Sequence, residues 1–113
     1  MFYYRICRAL RVSSTNVSRR IFRKVVVTPF EESVARVLDD LCRGEVVTYG
    51  EVATEAGFPS AHRAVGRFLK SHQGYPWWRV VTSTGRLVPG SEVEQSSLLR
   101  SEGVKVVNGR VAA

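Results

Sequence analysis

Residues 47–71 read VTYGEVATEAGFPSAHRAVGRFLKS, and the punctuation inside this stretch decides the architecture. Thr48 and Glu51 stand three apart, the spacing of a capping box. A hydroxyl there accepts from the backbone of the third helical residue while the glutamate side chain reaches back. A short helix is therefore predicted through Ala56, with Gly57 closing it. Phe58-Pro59 turns the chain, and Ser60 is predicted to cap a second helix from about Ala61 to Ser71, with Val65, Phe68 and Leu69 facing inward. Two short helices across a tight Gly-Phe-Pro turn have the arrangement of a helix-turn-helix, whose second helix enters a DNA groove.

Upstream, Thr28-Pro29-Phe30-Glu31 is another helix start, with Thr28 as cap, Pro29 at the first helical position and Glu31 as capping-box partner. Phe30, Val34, Val37, Leu38 and Leu41 follow at helical spacing, an apolar stripe that ends near Gly44. Downstream, Trp78, Val80 and Val81 suggest an extended segment. Ser83-Thr84-Gly85 turns into Arg86-Leu87-Val88, a wing-like connection. Ser91 and Glu94 form one more capping box ahead of a helix that carries Leu98 and Leu99 and stops at Gly103. Val104 to Val107, Asn108-Gly109 and Arg110 to Ala112 read as a hairpin with a type I′ turn. The fold class expected is mostly α with short β elements, a winged helix-turn-helix-like domain.

A chain of 113 residues is near the lower end of the size at which one hydrophobic core holds without staples. One folded unit is expected over 29–113. Residues 1–28 read as a basic N-terminal extension, disordered, or alternatively as an arm adding nonspecific phosphate contacts. Their basic, serine-bearing composition is similar to that of an organellar transit peptide. The first thirty residues hold Arg5, Arg8, Arg11, Arg19, Arg20, Arg23 and Lys24 and no acid, which accounts for the whole net charge of +7. The remainder is balanced, yet between Glu55 and Glu92 every formal charge is positive: Arg63, Arg67, Lys70, Arg79 and Arg86. A local basic face of that kind is what nucleic acid reads. Cys7 and Cys42 are too few and too far apart for a disulfide framework or a zinc site, and a reducing, cytoplasmic location is expected. His62 and His72 have no cysteine or carboxylate at ligand spacing, so no metal is expected, nor any other cofactor. No run is long and apolar enough for a membrane span.

Three separated segments carry a family resemblance over about Phe30 to Val107. Val47-Thr48-Tyr49-Gly50-Glu51-Val52-Ala53 resembles the tyrosine-bearing helix of the O6-alkylguanine-DNA alkyltransferases. Ser60-Ala61-His62-Arg63-Ala64-Val65-Gly66 resembles their recognition helix with its arginine finger. Pro76-Trp77-Trp78-Arg79-Val80 is similar to the active-site pattern Pro-Cys-His-Arg-Val, with Trp77 in the place of the alkyl-accepting cysteine. Tryptophan stands there in the alkyltransferase-like proteins, non-enzymatic relatives that this chain resembles. An indole has no ionisable thiol and cannot take an alkyl group as a thiolate does. The family histidine that activates the cysteine is also replaced, by Trp78.

The resemblance implies a protein that binds double-stranded DNA containing O6-alkylguanine through the minor groove. It flips the lesion out without altering it and flags it for the nucleotide-excision-repair proteins, acting as a monomer associated with the nucleoid when on DNA. It implies DNA contacts by Tyr49, Arg63, Ala64, Gly66, Arg67 and Lys70. Tyr49, Trp77, Trp78, Arg79 and Arg86 would form the lesion pocket, with Arg79 bracing the segment by hydrogen bonds and Arg86 standing in for an arginine that some members carry where this chain has Pro89-Gly90. Arg63 would fill the gap left by the flipped base, a task that suits a planar guanidinium. Ala64 and Gly66 would let the helix press into a groove about 6 Å wide. Each motif also has a plain structural reading: Arg63 as a solvated helix arginine, Gly66 as a packing site, Tyr49 as a half-buried aromatic, the tryptophans as core. A methyltransferase using another cysteine and a winged-helix transcription regulator are the other two functions open to the sequence.

Overall fold

The computed structural model describes residues 28–112. Helix α1 (Pro29–Asp39) begins with both bonds of the Thr28 box in place, Glu31 N to Thr28 Oγ1 at 3.0 Å and Thr28 N to Glu31 Oε1 at 3.3 Å. Strand β1 (Val47–Thr48) runs directly into helix α2 (Tyr49–Glu55), where Thr48 serves as last strand residue and as cap. Glu51 N donates to its hydroxyl at 3.0 Å, and its own N–H donates to Glu51 Oε1 at 2.8 Å. Gly57 follows at φ +92°, the left-handed conformation that ends a helix at little cost for glycine. Helix α3 (His62–Ser71) completes the helix-turn-helix, and Phe58 in the turn packs edge-on against Phe30 at 5.2 Å.

Strand β2 (Val80–Val81) lies parallel to β1, pairing Val47 with Val80 and Thr48 with Val81. Because side chains alternate across a strand, this two-residue ladder is a septum between two cores. Val47 and Val80 face the cluster made by α1, α2 and α3, with Val34, Leu38, Val52 and Val65 fully buried. Val46 and Val81 face a second cluster with Leu87, Leu99, Val104 and Val106. Each such side chain taken from water contributes about 1.5–3 kcal/mol. Helix α4 (Glu92–Ser101) covers the second cluster, and β3 (Val106–Val107) pairs antiparallel with β4 (Arg110–Val111). Asn108 and Gly109 both have positive φ, 54° and 74°, as the expected type I′ turn requires. Among the described residues no helix is long and apolar enough to cross a membrane.

The structure corrects three local expectations. Ser60 does not cap α3: the cap position is Ala61, and no side chain bonds to the helix start. Ser91 occupies the cap of α4 but makes no cap bond, since the acidic side chain that turns back is Glu92, which accepts from Gly90 N at 2.9 Å. Trp78 is not extended but the middle of a single 3₁₀ turn, Trp77–Arg79, with Arg79 N donating to Pro76 O at 3.1 Å. Cys42 is half-buried after the end of α1. The expectations for residues 1–27 and for Cys7 lie outside the described residues.

The caps give a direct comparison. Thr48→Ala should lower unfolding free energy by about 1 kcal/mol, whereas Ser91→Ala should stay within about 0.5 kcal/mol, both read from urea unfolding midpoints.

Candidate nucleic-acid interface

Arg63, Arg67 and Lys70 are spaced four and three residues apart on α3, so they share one face, and all three are exposed. Val65 and Phe68 point the other way, into the core. Ala64 and Gly66 are half-buried at the margin. A Cβ built on Gly66 would lie 3.9 Å from Cε1 of Tyr49, so the Tyr49 ring rests on α3 at the glycine. Tyr49 is itself partly buried against the first core, and burial raises its phenol pKa above the usual tyrosine value. The packing reading of Gly66 and the family reading of Tyr49 thus meet in one contact, which fixes the tyrosine relative to Arg63 and Arg67.

Beyond α3 the chain is pinned by aromatics. Phe68 stacks on His72 at 4.1 Å and packs on buried Tyr75 at 5.2 Å, and Trp77 N donates to Tyr75 O at 2.8 Å. Trp77 is half-buried, its ring perpendicular to that of Trp78 with centroids 6.3 Å apart. Trp78 is committed elsewhere. It packs on the second core, and its Nε1 donates to Glu102 Oε2 at 2.8 Å. An indole N–H only donates, so position 78 offers nothing to take a proton from a nucleophile at 77.

Glu102 is the centre of this part of the molecule. Its side chain is 5 % exposed, and Arg79 grips both of its oxygens, Nε to Oε1 at 3.0 Å and Nη2 to Oε2 at 2.8 Å. Gly44 N donates to Oε1 at 2.8 Å. Arg79 also donates from Nη1 to Leu41 O at 3.1 Å and lies over the Trp78 ring at 5.3 Å. The brace expected of Arg79 is therefore present. Its Nε, Nη1 and Nη2 all donate within the fold. Burial pushes the Glu102 carboxyl upward, but hydrogen bonds from Arg79, Gly44 and Trp78, with the nearby guanidinium charge, outweigh it and hold the group below the ordinary carboxylate value.

Two residues of this frame escape a motif reading. Fully buried Gln95 accepts from Val88 N at 2.7 Å and donates to Trp78 O at 3.1 Å and Val80 O at 3.2 Å, joining the wing to the tryptophan segment. Glu102 is the other. Both fall three or four residues from Leu98 and Leu99, in line with the inward side of α4 although Glu102 lies just past its end, and a polar side chain in an apolar stripe was the available signal. Arg86 is exposed on the wing, opposite Arg110. Among the described residues no group of three or more histidines, cysteines and carboxylates could hold a metal.

This fold has counterparts among known proteins. The family described as 6-O-methylguanine DNA methyltransferase, DNA binding domain, matches residues 29–104. The DNA base-flipping protein of Vibrio parahaemolyticus is 34% identical over 89 residues, covering 74% of this chain and 89% of that one. Alkyltransferase-like protein 1 of Schizosaccharomyces pombe is 35% identical over 86 residues, covering 67% and 80%. A crystal structure of the S. pombe protein in complex with damaged DNA containing O6-carboxymethylguanine superposes with a TM-score of 0.65 at 32% identity, over 74% of this chain and 83% of that one. A methylated-DNA–protein-cysteine methyltransferase of Methanosarcina acetivorans is 36% identical over 84 residues, but this chain spans only 52% of it. The chain belongs to the 6-O-methylguanine DNA methyltransferase DNA-binding-domain family, with the alkyltransferase-like proteins as its relatives.

A carboxylate held below its ordinary pKa in the folded state contributes stability that is present above the unfolded pKa and lost as pH falls through the folded one. Glu102→Gln should therefore destabilise the domain at neutral pH by about 3 kcal/mol, as breaking a buried pair does. It should also flatten the dependence of stability on pH in the acid range. Thermal melts between pH 3 and 7 check both.

Proposed function

We propose that this protein recognises O6-alkylguanine in duplex DNA without repairing it: α3 enters the minor groove, the lesion is flipped into a pocket walled by Trp77, and the alkyl group stays where it was. The observation that carries the reading is the pair Trp77 and Trp78, which puts a side chain with no thiol in the acceptor position and a donor-only ring, bonded to Glu102, beside it. Its support from relatives is a base-flipping name, an alkyltransferase-like name and a solved complex with damaged DNA containing O6-carboxymethylguanine.

The division of labour follows from the chemistry of each group. Arg63 lies at the start of α3 and carries a planar guanidinium able to stack in a vacated base position and hydrogen bond the orphaned partner. Arg67 and Lys70, farther along the same face, supply phosphate contacts without sequence information. Tyr49 borders the helix at Gly66, where a backbone phosphate beside the flipped nucleotide would pass. The flat apolar face of Trp77 packs against the alkylated base edge. Repair is then completed by nucleotide-excision-repair proteins that read the distorted complex. We assign the folded unit to 29–113 and residues 1–28 to a basic extension.

Competition between alkylated and unmodified duplexes of identical sequence tests recognition, and mass analysis of the protein after incubation with O6-methylguanine DNA tests the absence of transfer. Tighter binding to the alkylated duplex with no mass gain is expected, and a stoichiometric methyl adduct on the protein would refute the reading. Trp77→Ala should lose about 1–3 kcal/mol of binding on the alkylated duplex and much less on the plain one. Equal losses on both would make Trp77 structural.

Arg63 separates stacking from charge. Arg63→Ala should abolish extrusion, seen as loss of the fluorescence rise of a base analogue at the lesion position, and Arg63→Lys should not restore it, since an ammonium cannot replace a planar fork. Rescue by lysine would reduce Arg63 to a phosphate contact.

A further inference from the structure

The wing and the C-terminal hairpin together place two arginines face to face. Arg86 pairs antiparallel with Arg110 across an isolated bridge. The bonds flanking it, Leu87 N to Gly109 O at 3.1 Å and Val111 N to Gly85 O at 2.9 Å, make Arg86 and Arg110 a non-hydrogen-bonded pair. That is the closer of the two antiparallel geometries, with side chains on the same face and Cβ atoms about 4.5–5.5 Å apart. Val106 and Leu87 turn inward to the second core, whereas Arg86, Arg110, Lys105 and Val107 are exposed on the outer side. Neither arginine forms an ion pair with a carboxylate among the described residues; the ion pairs there are Arg79–Glu102 and the His72–Glu31 approach at 3.7 Å.

Like charges directly opposed on a strand pair destabilise it, so the arrangement costs the free protein something that an anion between the two guanidiniums would return. The position of the pair says which anion. Because β1 and β2 are parallel with Thr48 beside Val81, both chains leave the ladder at the same end: one becomes α2 with Tyr49, and the other becomes the wing at Thr82. Tyr49 rests on α3 at Gly66. The arginine pair thus stands where the hairpin meets the wing, and the wing leaves the ladder at the same end as α2.

We infer that Arg86 and Arg110 clamp a phosphate of the DNA backbone, a second anchoring point outside the recognition helix. This rests on the DNA-binding reading above but not on lesion recognition, since a phosphate is the same in damaged and undamaged duplex. It also assigns Arg86 to the backbone instead of the lesion pocket.

The test measures anisotropy of labelled plain and alkylated duplexes against salt, for the full chain and for Arg86→Ala, Arg110→Ala and the double variant, with thermal melts alongside. The double variant is expected to bind both duplexes roughly three- to tenfold more weakly near 0.1 M salt, to lower the salt slope by about one phosphate contact, and to melt no lower than the unaltered protein. Unchanged affinity and slope in a folded double variant would overturn the clamp, as would a fall in melting temperature that accounts for the binding loss. Failure of lesion recognition shows separately, as equal affinity of the unaltered protein for the two duplexes.

Discussion

One carboxylate determines whether the tryptophan segment has a fixed place. Glu102 sits just past the end of α4, yet it accepts from Trp78, from Arg79 twice and from the backbone of Gly44 beyond α1. Four donors on two oxygens nearly exhaust what an ionised carboxylate can accept. Charge-assisted bonds of this kind are shorter and roughly twice as strong as neutral ones. Arg79 then passes the constraint on to Leu41 O. The first core, the second core and the 3₁₀ turn are consequently tied at a point with little solvent to compete for it, and Trp77 is held beside that knot, with its N–H on Tyr75 O and its ring against Trp78.

The β1–β2 ladder distributes the rest. A two-residue parallel pair is too short to be stable on its own, and it persists because its alternate valines belong to two different clusters. The same ladder sets the geometry of the basic surface. It delivers Tyr49 and the wing to one end, while α3 is held against α2 through Val65, Phe68 and the Tyr49 ring.

What could be read from the sequence follows the distance over which the signals act. The capping boxes at Thr28 and Thr48, the Gly57 stop and the Asn108-Gly109 turn are decided within four residues, and each appears as the local chemistry requires. Ser60 and Ser91 carry the same letters, but competing local geometry, an Ala61 cap in one case and Glu92 turning back to Gly90 in the other, leaves them unused. The parallel pairing of Val47 with Val80 and the reach of Glu102 to Gly44 span 33 and 58 residues, and no local pattern encodes them. The position of Trp78 shows the difference well. Its neighbours Val80 and Val81 suggested extension, but the carboxylate 24 residues away sets the turn. For the interface, the basic face of α3 was visible from spacing, whereas the facing of Arg86 on Arg110 depends on how the hairpin registers against the wing.

On the proposed reading, magnitudes explain why a non-reacting member of this family would carry cationic groups beyond the recognition helix. A protein that forms a bond with its lesion is held by that bond, and its prior complex can be brief. A protein that leaves the lesion intact holds it only by equilibrium free energy. Stacking of one base on Trp77 supplies about 1–3 kcal/mol, a preference of roughly five- to a hundred-and-fiftyfold. Flipping the base consumes a few kcal/mol of stacking and pairing, less at a damaged site. Those two quantities nearly cancel, so selectivity comes from the aromatic pocket while the affinity that keeps the complex together must come from contacts indifferent to the lesion. Exposed Arg67 and Lys70 on α3 and the opposed arginines of the wing and hairpin are groups of that kind. Such contacts carry a steep salt dependence.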